Sequence, residues 1–95
     1  MAAGNWKDLL KAIQENNLEL VHYHVAMDVD LNYQHPEFMV TPLIEAADYG
    51  RTEIVKYLLA NGADPKIIAG FNSETALSVA KAKGHTEIVE ILNEY

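Results

Sequence analysis

Residues 41–64, TPLIEAADYGRTEIVKYLLANGAD, read as a helix, a tight turn and a second helix, and residues 75–95, TALSVAKAKGHTEIVEILNEY, repeat the pattern 34 positions later without a gap. Thr41 and Thr75 align, as do Leu43 and Leu77, Ala46 and Ala80, Gly50 and Gly84, and residues 52–55 with 86–89. A third copy precedes them, with Leu9, Ala12, Glu19, Val21, Tyr23, Ala26 and Asp30 lying 34 positions before Leu43, Ala46, Glu53, Val55, Tyr57, Ala60 and Asp64. One supersecondary unit recurring at this period predicts a stacked solenoid, in which each unit buries its apolar face only against its neighbours.

The middle copy states the local physics. The Thr41 hydroxyl is placed to cap a helix whose first position is Pro42, where a missing N–H costs nothing and a fixed φ helps. Leu43, Ala46 and Ala47 form a small apolar stripe that lets another helix approach closely. Gly50 ends this helix by accepting a left-handed conformation. A second helix begins near Thr52, with Glu53 favourably placed on its dipole and Ile54, Val55, Leu58 and Leu59 as its buried stripe. Asn61 and Gly62 stop it, and Ala63-Asp64-Pro65 leads into a turn-rich finger that runs to Glu74. In the first copy, Asn16 and Asp28 stand where the later copies have glycine, and these are the next-best residues at positive φ. Asn5 is expected to cap the first helix, with Asp8 three residues on.

Thr41-Pro42-Leu43-Ile44-Glu45-Ala46-Ala47, then Gly50, Glu53-Ile54-Val55, Leu58-Leu59 and Asn61-Gly62-Ala63-Asp64, resemble an ankyrin repeat. Residues 75–93 resemble a closing repeat and residues 6–32 an opening one. The resemblance implies an all-α ankyrin-repeat solenoid, its helix-turn-helix units joined by β-hairpin-like fingers. We expect one domain over residues 1–95, with repeats at about 6–40, 41–74 and 75–95. The family's usual period is about 33 residues, so each finger here is expected to carry one more. The family's habitual histidine after Thr-Pro-Leu is Ile44 in one repeat and Ser78 in the other. Lys81, Lys83, Glu87, Glu90, Asn93 and Glu94 make the last repeat more polar than the middle one, as a cap should be.

Composition narrows the function. Of 95 residues 49% are hydrophobic and 22% charged, a globular balance. Fourteen acidic against seven basic side chains give a net charge of −7, which disfavours nucleic acid and anionic membrane as partners. No apolar run reaches the length of a membrane span and the N-terminal stretch has no signal-like core, so a cytoplasmic, intracellular protein is expected. The absence of cysteine excludes disulfides and thiol chemistry.

Catalytic and metal motifs fail on inspection. Asp28-Val29-Asp30-Leu31-Asn32 opens like a calcium loop, but Tyr33 and Met39 stand where such a loop needs glycine and a bidentate glutamate. His22 and His24 are two apart on a helix and point to different faces. His24 aligns with core residue Leu58, so it is expected to be a buried or half-buried structural imidazole, and His85 aligns with Arg51 as a polar turn residue. Ser73 and Ser78 lack a nucleophile elbow, and the glycines form no phosphate loop. No enzyme activity, cofactor or metal is expected.

The resemblance implies instead a non-catalytic protein–protein interaction module binding through its concave side. Carried over residue by residue, that side takes Tyr33, His35, Glu37, Phe38 and Met39 from the first finger and Phe71, Asn72 and Glu74 from the second. Gln14, Ile44, Glu45, Asp48, Tyr49, Ser78 and Lys81 border it. Aromatic and methionine side chains are good interface anchors, and the carboxylates favour a partner with a basic rim. Phe38 and Phe71 have an alternative place, folded inward to join adjacent fingers. The competing expectation is a self-associating stack using Trp6, Leu10 and Ile13 at its open end. A monomer is expected in preference, and light scattering across a dilution series separates the two.

Overall fold

The computed structural model describes residues 5–34, 38–70 and 72–95. Its helices are α1 (Trp6–Gln14), α2 (Leu18–Ala26), α3 (Pro42–Tyr49), α4 (Thr52–Ala60), α5 (Ala76–Lys83) and α6 (Thr86–Leu92). They form an all-α stack. α1, α3 and α5 pack side by side as an inner layer, and α2, α4 and α6 follow behind them. Among the described residues none of the helices is long and apolar enough to cross a membrane.

Four of the six helices, α1, α2, α3 and α5, start at a side-chain cap, whereas α4 and α6 start without one. Asn5 Oδ1 accepts from the Asp8 N–H at 3.1 Å, Asn17 Oδ1 from Leu20 at 3.1 Å and Thr41 Oγ1 from Ile44 at 3.2 Å. Thr75 goes further. Its hydroxyl accepts from the Ser78 N–H at 3.1 Å while Ser78 Oγ accepts from the Thr75 N–H at 2.9 Å, a reciprocal cap that Ile44 cannot make. Gly50 and Gly84 end α3 and α5 with φ of 71° and 73°, and Asn16 (56°) and Asp28 (67°) take up positive φ in the first repeat as their residue types predict. In the second finger the N–H groups of Ala69 and Glu74 each donate to the other's carbonyl at 2.8 Å, closing a short hairpin.

The 34-residue equivalence shows which way each core position faces. Ile13 and Ala47 are fully buried, whereas Lys81 at the same place in the third repeat is exposed, so this position faces the following repeat. Leu10, Ile44 and Ser78 behave alike, and so do Val25, Leu59 and Asn93. In the opposite direction, Ile54 and Ile88 are fully buried against a preceding repeat while the equivalent Leu20 is 42% exposed. The open-end contacts expected for self-association need correction. Leu10 and Ile13 are buried beneath the second repeat, because their side of α1 packs on α3.

His24 is buried at the place of Leu58, as expected, but among the described residues no donor or acceptor reaches its Nδ1. A buried ring nitrogen without a partner costs free energy that an apolar side chain does not. His24→Leu is therefore expected to stabilise the fold by about 1 kcal/mol, read as a rise in thermal midpoint of about 4–8 °C. An unchanged or lowered midpoint would show that the imidazole has a partner the fold needs.

Candidate protein-binding groove

The fingers and the inner helices enclose an open groove of about 810 Å³. Leu10 of α1, Ile44 of α3 and Val79 of α5 form its floor, and Phe38, Met39 and Val40 of the first finger and Ala69 and Gly70 of the second form its wall. Polar groups line the edges: Lys7, Lys11, Gln14, Glu15, Glu45, Asp48, Asn72, Glu74 and Lys83.

Local structure places these side chains. The Trp6 ring of α1 stacks on Phe38 (centroids 6.1 Å apart, planes 13° apart) and meets the edge of Tyr33 at 5.8 Å, so the first finger is held to α1 by aromatic contact. Lys7 Nζ lies 5.9 Å from the Phe38 ring centre. Phe38 thus packs one face on Trp6 of α1, rather than on the adjacent finger, and 48% of the residue remains exposed at the groove.

Electrostatics distinguish the groove's carboxylates. Lys83 Nζ reaches Asp48 Oδ1 at 2.6 Å, joining α5 to α3, and the Asp48 carboxylate holds the ammonium above its usual pKa, with Glu74 adding to the effect. Among the described residues no ion pair is made by Glu45. Gln14 Nε2 donates to its Oε2 at 2.6 Å. Burial pushes its pKa above the ordinary 4.5, the Gln14 bond opposes the shift, and the Asp48 charge adds to it. A carboxyl whose pKa rises on folding weakens the fold once ionised. Glu45→Gln is therefore expected to match the wild type below the carboxylate range and to become the more stable protein as pH rises through 4.5 and above. The gain, reduced by solvent screening of a half-exposed group, is a few tenths of a kcal/mol, measurable as a pH-dependent difference in urea midpoint.

Of the residues expected on the binding side, Gln14, Phe38, Met39, Ile44, Glu45, Asp48, Asn72 and Glu74 line the groove. Ile44 does so as a buried floor residue, 6% exposed, rather than as a projecting contact. Four others lie outside its lining. Tyr33 rests against Trp6, Tyr49 lies 5.7 Å from the Arg51 guanidinium, Ser78 closes the α5 cap, and Lys81 faces away from the second repeat. His35, Glu37 and Phe71 fall outside the described residues. The reading missed Val79, Ala82 and Lys83, although adding 34 to Glu45, Asp48 and Tyr49 leads to them.

A second feature escaped the sequence. Arg51, at the start of α4, donates from Nε to the Ile13 carbonyl at 3.2 Å and from Nη2 to the Gln14 carbonyl. His85 at the start of α6 donates from Nε2 to the Asp48 carbonyl at 3.2 Å. Gln14 and Asp48 are equivalent, so the second and third repeats each bind the C-terminal turn of the previous inner helix. Asn32 adds a further link, accepting from the Asp64 N–H at 2.7 Å and donating to the Gly62 carbonyl at 3.2 Å. The acidic run is thus structural. Asp30 and Asp64 accept from the N–H groups of Asn32 and Lys66, each at 2.9 Å, in matching turns.

A family model described as ankyrin repeats (3 copies) matches residues 9–95. The chain is similar to the palmitoyltransferase AKR1 of Lachancea kluyveri, with 49% identity over 60% of this chain and 8% of that protein. It is also similar to the ARF GTPase-activating protein Git of Drosophila melanogaster, with 34% identity over 90% of this chain and 12% of that protein. Ankyrin repeat family A protein 2 of Mus musculus shares 50% identity over 50% of this chain and 15% of its own. The chain therefore spans 8% to 15% of the length of these relatives. Ankyrin repeats are generally non-catalytic units that bind other proteins. With three copies recognised across residues 9–95 and their helices stacked in register, the chain belongs to the ankyrin repeat family.

Proposed function

We propose that this chain is a non-catalytic interaction module that holds a partner protein in the groove between its fingers and inner helices. Three repeats, at about 6–40, 41–74 and 75–95, act as one domain, and recognition works through a preformed surface. The observation that supports this reading is the groove itself: an apolar floor formed by one side chain from each inner helix, bordered by polar groups. The net charge of −7 and the carboxylates at the edge favour a partner with a basic rim over nucleic acid or a membrane surface, and an intracellular setting.

The self-associating alternative has one observation in its favour, the exposed Leu20 on the face that the later repeats bury. Asp8 at the place of Pro42 and Lys81 at the place of Ala47 put charge where repeats otherwise meet, so the monomer is the favoured state.

Ala82 is exposed and lines the groove, whereas Ala60 is exposed on α4 away from it. Ala82→Trp fills the groove without entering the core. It is expected to release the proteins that the immobilised chain captures from a lysate, by about tenfold or more in affinity, while Ala60→Trp retains them. Equal retention by both variants would place binding elsewhere.

A further inference from the structure

Glu45 stands apart from its equivalents. The same position is Lys11 in the first repeat and Val79, 5% exposed, in the third. The stack therefore accommodates an apolar side chain here and has no structural need of a carboxylate. Glu45 is half-buried at the edge of an apolar groove, and the groups that act on its charge are an amide, Gln14, and another carboxylate, Asp48, rather than a cation. Of the groove's cations, Lys83 is paired with Asp48, and Lys7 and Lys11 lie on α1.

The free acceptors are specific. Among the described residues Gln14 donates only to Glu45 Oε2, so no donor reaches Glu45 Oε1 or the Gln14 side-chain carbonyl. Lys83 holds Asp48 Oδ1. Glu45 Oε1 and the Gln14 side-chain carbonyl belong to one bonded pair beside an apolar floor, and such a pair suits a planar guanidinium, whose several N–H groups can address both, better than an ammonium, which acts as a point charge.

We infer that the groove recognises an extended partner segment in which an arginine docks between Glu45 and Gln14 while a neighbouring apolar side chain rests on Leu10, Ile44 and Val79. This deepens the groove reading and rests on it. Pairing with a guanidinium restores the charge balance that burial denies Glu45, so binding weakens as pH falls through the range in which this carboxyl is protonated.

The test uses a displayed library of random peptides about 12 residues long, long enough to span the groove when extended, selected on the whole chain. The expected result is a set of peptides sharing an arginine next to an apolar residue. Replacing that arginine by citrulline, or testing against Glu45→Gln, should each weaken binding by about tenfold or more, and Ala82→Trp should abolish it. Glu45→Gln is expected to be no less stable than the wild type, so loss of binding is not loss of fold. Peptides lost on Ala82→Trp but indifferent to citrulline and to Glu45→Gln overturn the arginine site and leave the groove standing. Peptides indifferent to Ala82→Trp overturn both. A selection that enriches no peptide overturns the extended-segment proposal.

Discussion

Gly50→Ala is expected to destabilise the protein by about 2–3 kcal/mol, whereas Gly84→Ala at the equivalent turn costs about 1 kcal/mol. The two backbones are alike, with φ of 71° and 73°, so the left-handed penalty of a Cβ is shared. The surroundings differ. A Cβ on Gly50 would lie 2.8 Å from His85 Cε1 and 3.0 Å from Nδ1, while one on Gly84 meets nothing within 4 Å. The His85 ring cannot withdraw without breaking its bond to the Asp48 carbonyl, and that bond contributes about 1 kcal/mol. Urea denaturation of both variants reads the difference directly. In the double variant Gly50→Ala/His85→Ala the clash and the bond are gone together, so its cost should fall short of the sum of the single changes. Equal costs at Gly50 and Gly84 would mean that the imidazole moves aside freely and does not join the repeats.

Arg51→Met is expected to cost about 2 kcal/mol. The Gln14 carbonyl lies in the last turn of α1, where no further helical N–H is available to it, while the Ile13 carbonyl also accepts from the Asn16 N–H at 3.0 Å. Arg51 supplies two charge-assisted donors, and its positive charge is favourable at the C-terminal end of a helix dipole. Methionine keeps the apolar stem and removes the donors, so the loss measures the bonds rather than the packing. Arg51→Lys should recover only part of it, because an ammonium does not reproduce the fork. Since stability in a solenoid is a sum of repeat and neighbour-interface contributions, the loss should be local. Amide hydrogen exchange is expected to quicken in α1 and α2 more than in α5 and α6. Uniform loss of protection would show a single cooperative unit instead.

These two effects mark how much was legible in the sequence. The helix-turn-helix units, the Asn5 and Thr41 caps, and the apolar stripes such as Ile54, Val55, Leu58 and Leu59 were readable, while the Asn17 cap and the reciprocal Thr75–Ser78 cap were not read. So were the less obvious left-handed residues Asn16 and Asp28. The functional surface was only partly so. Glu45 and Asp48 were named, yet Lys81 was chosen where Lys83 lines the groove, and Tyr49 and Ser78 lie outside it. Two positions along a helix turn a side chain through about 200°, so a small error in facing exchanges groove for outer surface. Arg51 and His85 read as ordinary polar turn residues because their acceptors lie 37 or 38 positions earlier in the chain.

What the sequence determined by itself is the repeating unit: its period, its helix limits and the stripe that each helix buries. Those depend on bonds between residues three or four apart and on the φ each residue type accepts, and both are properties of a short stretch of chain. The tertiary structure alone decided which faces look into the groove, which carbonyls the next repeat binds, and that Glu45 is half-buried beside Gln14 and Asp48. Those depend on the rise and rotation from one repeat to the next. That geometry arises from packing small stripes such as Ala46 and Ala47 against a neighbouring helix, so it exists only once the repeats are stacked.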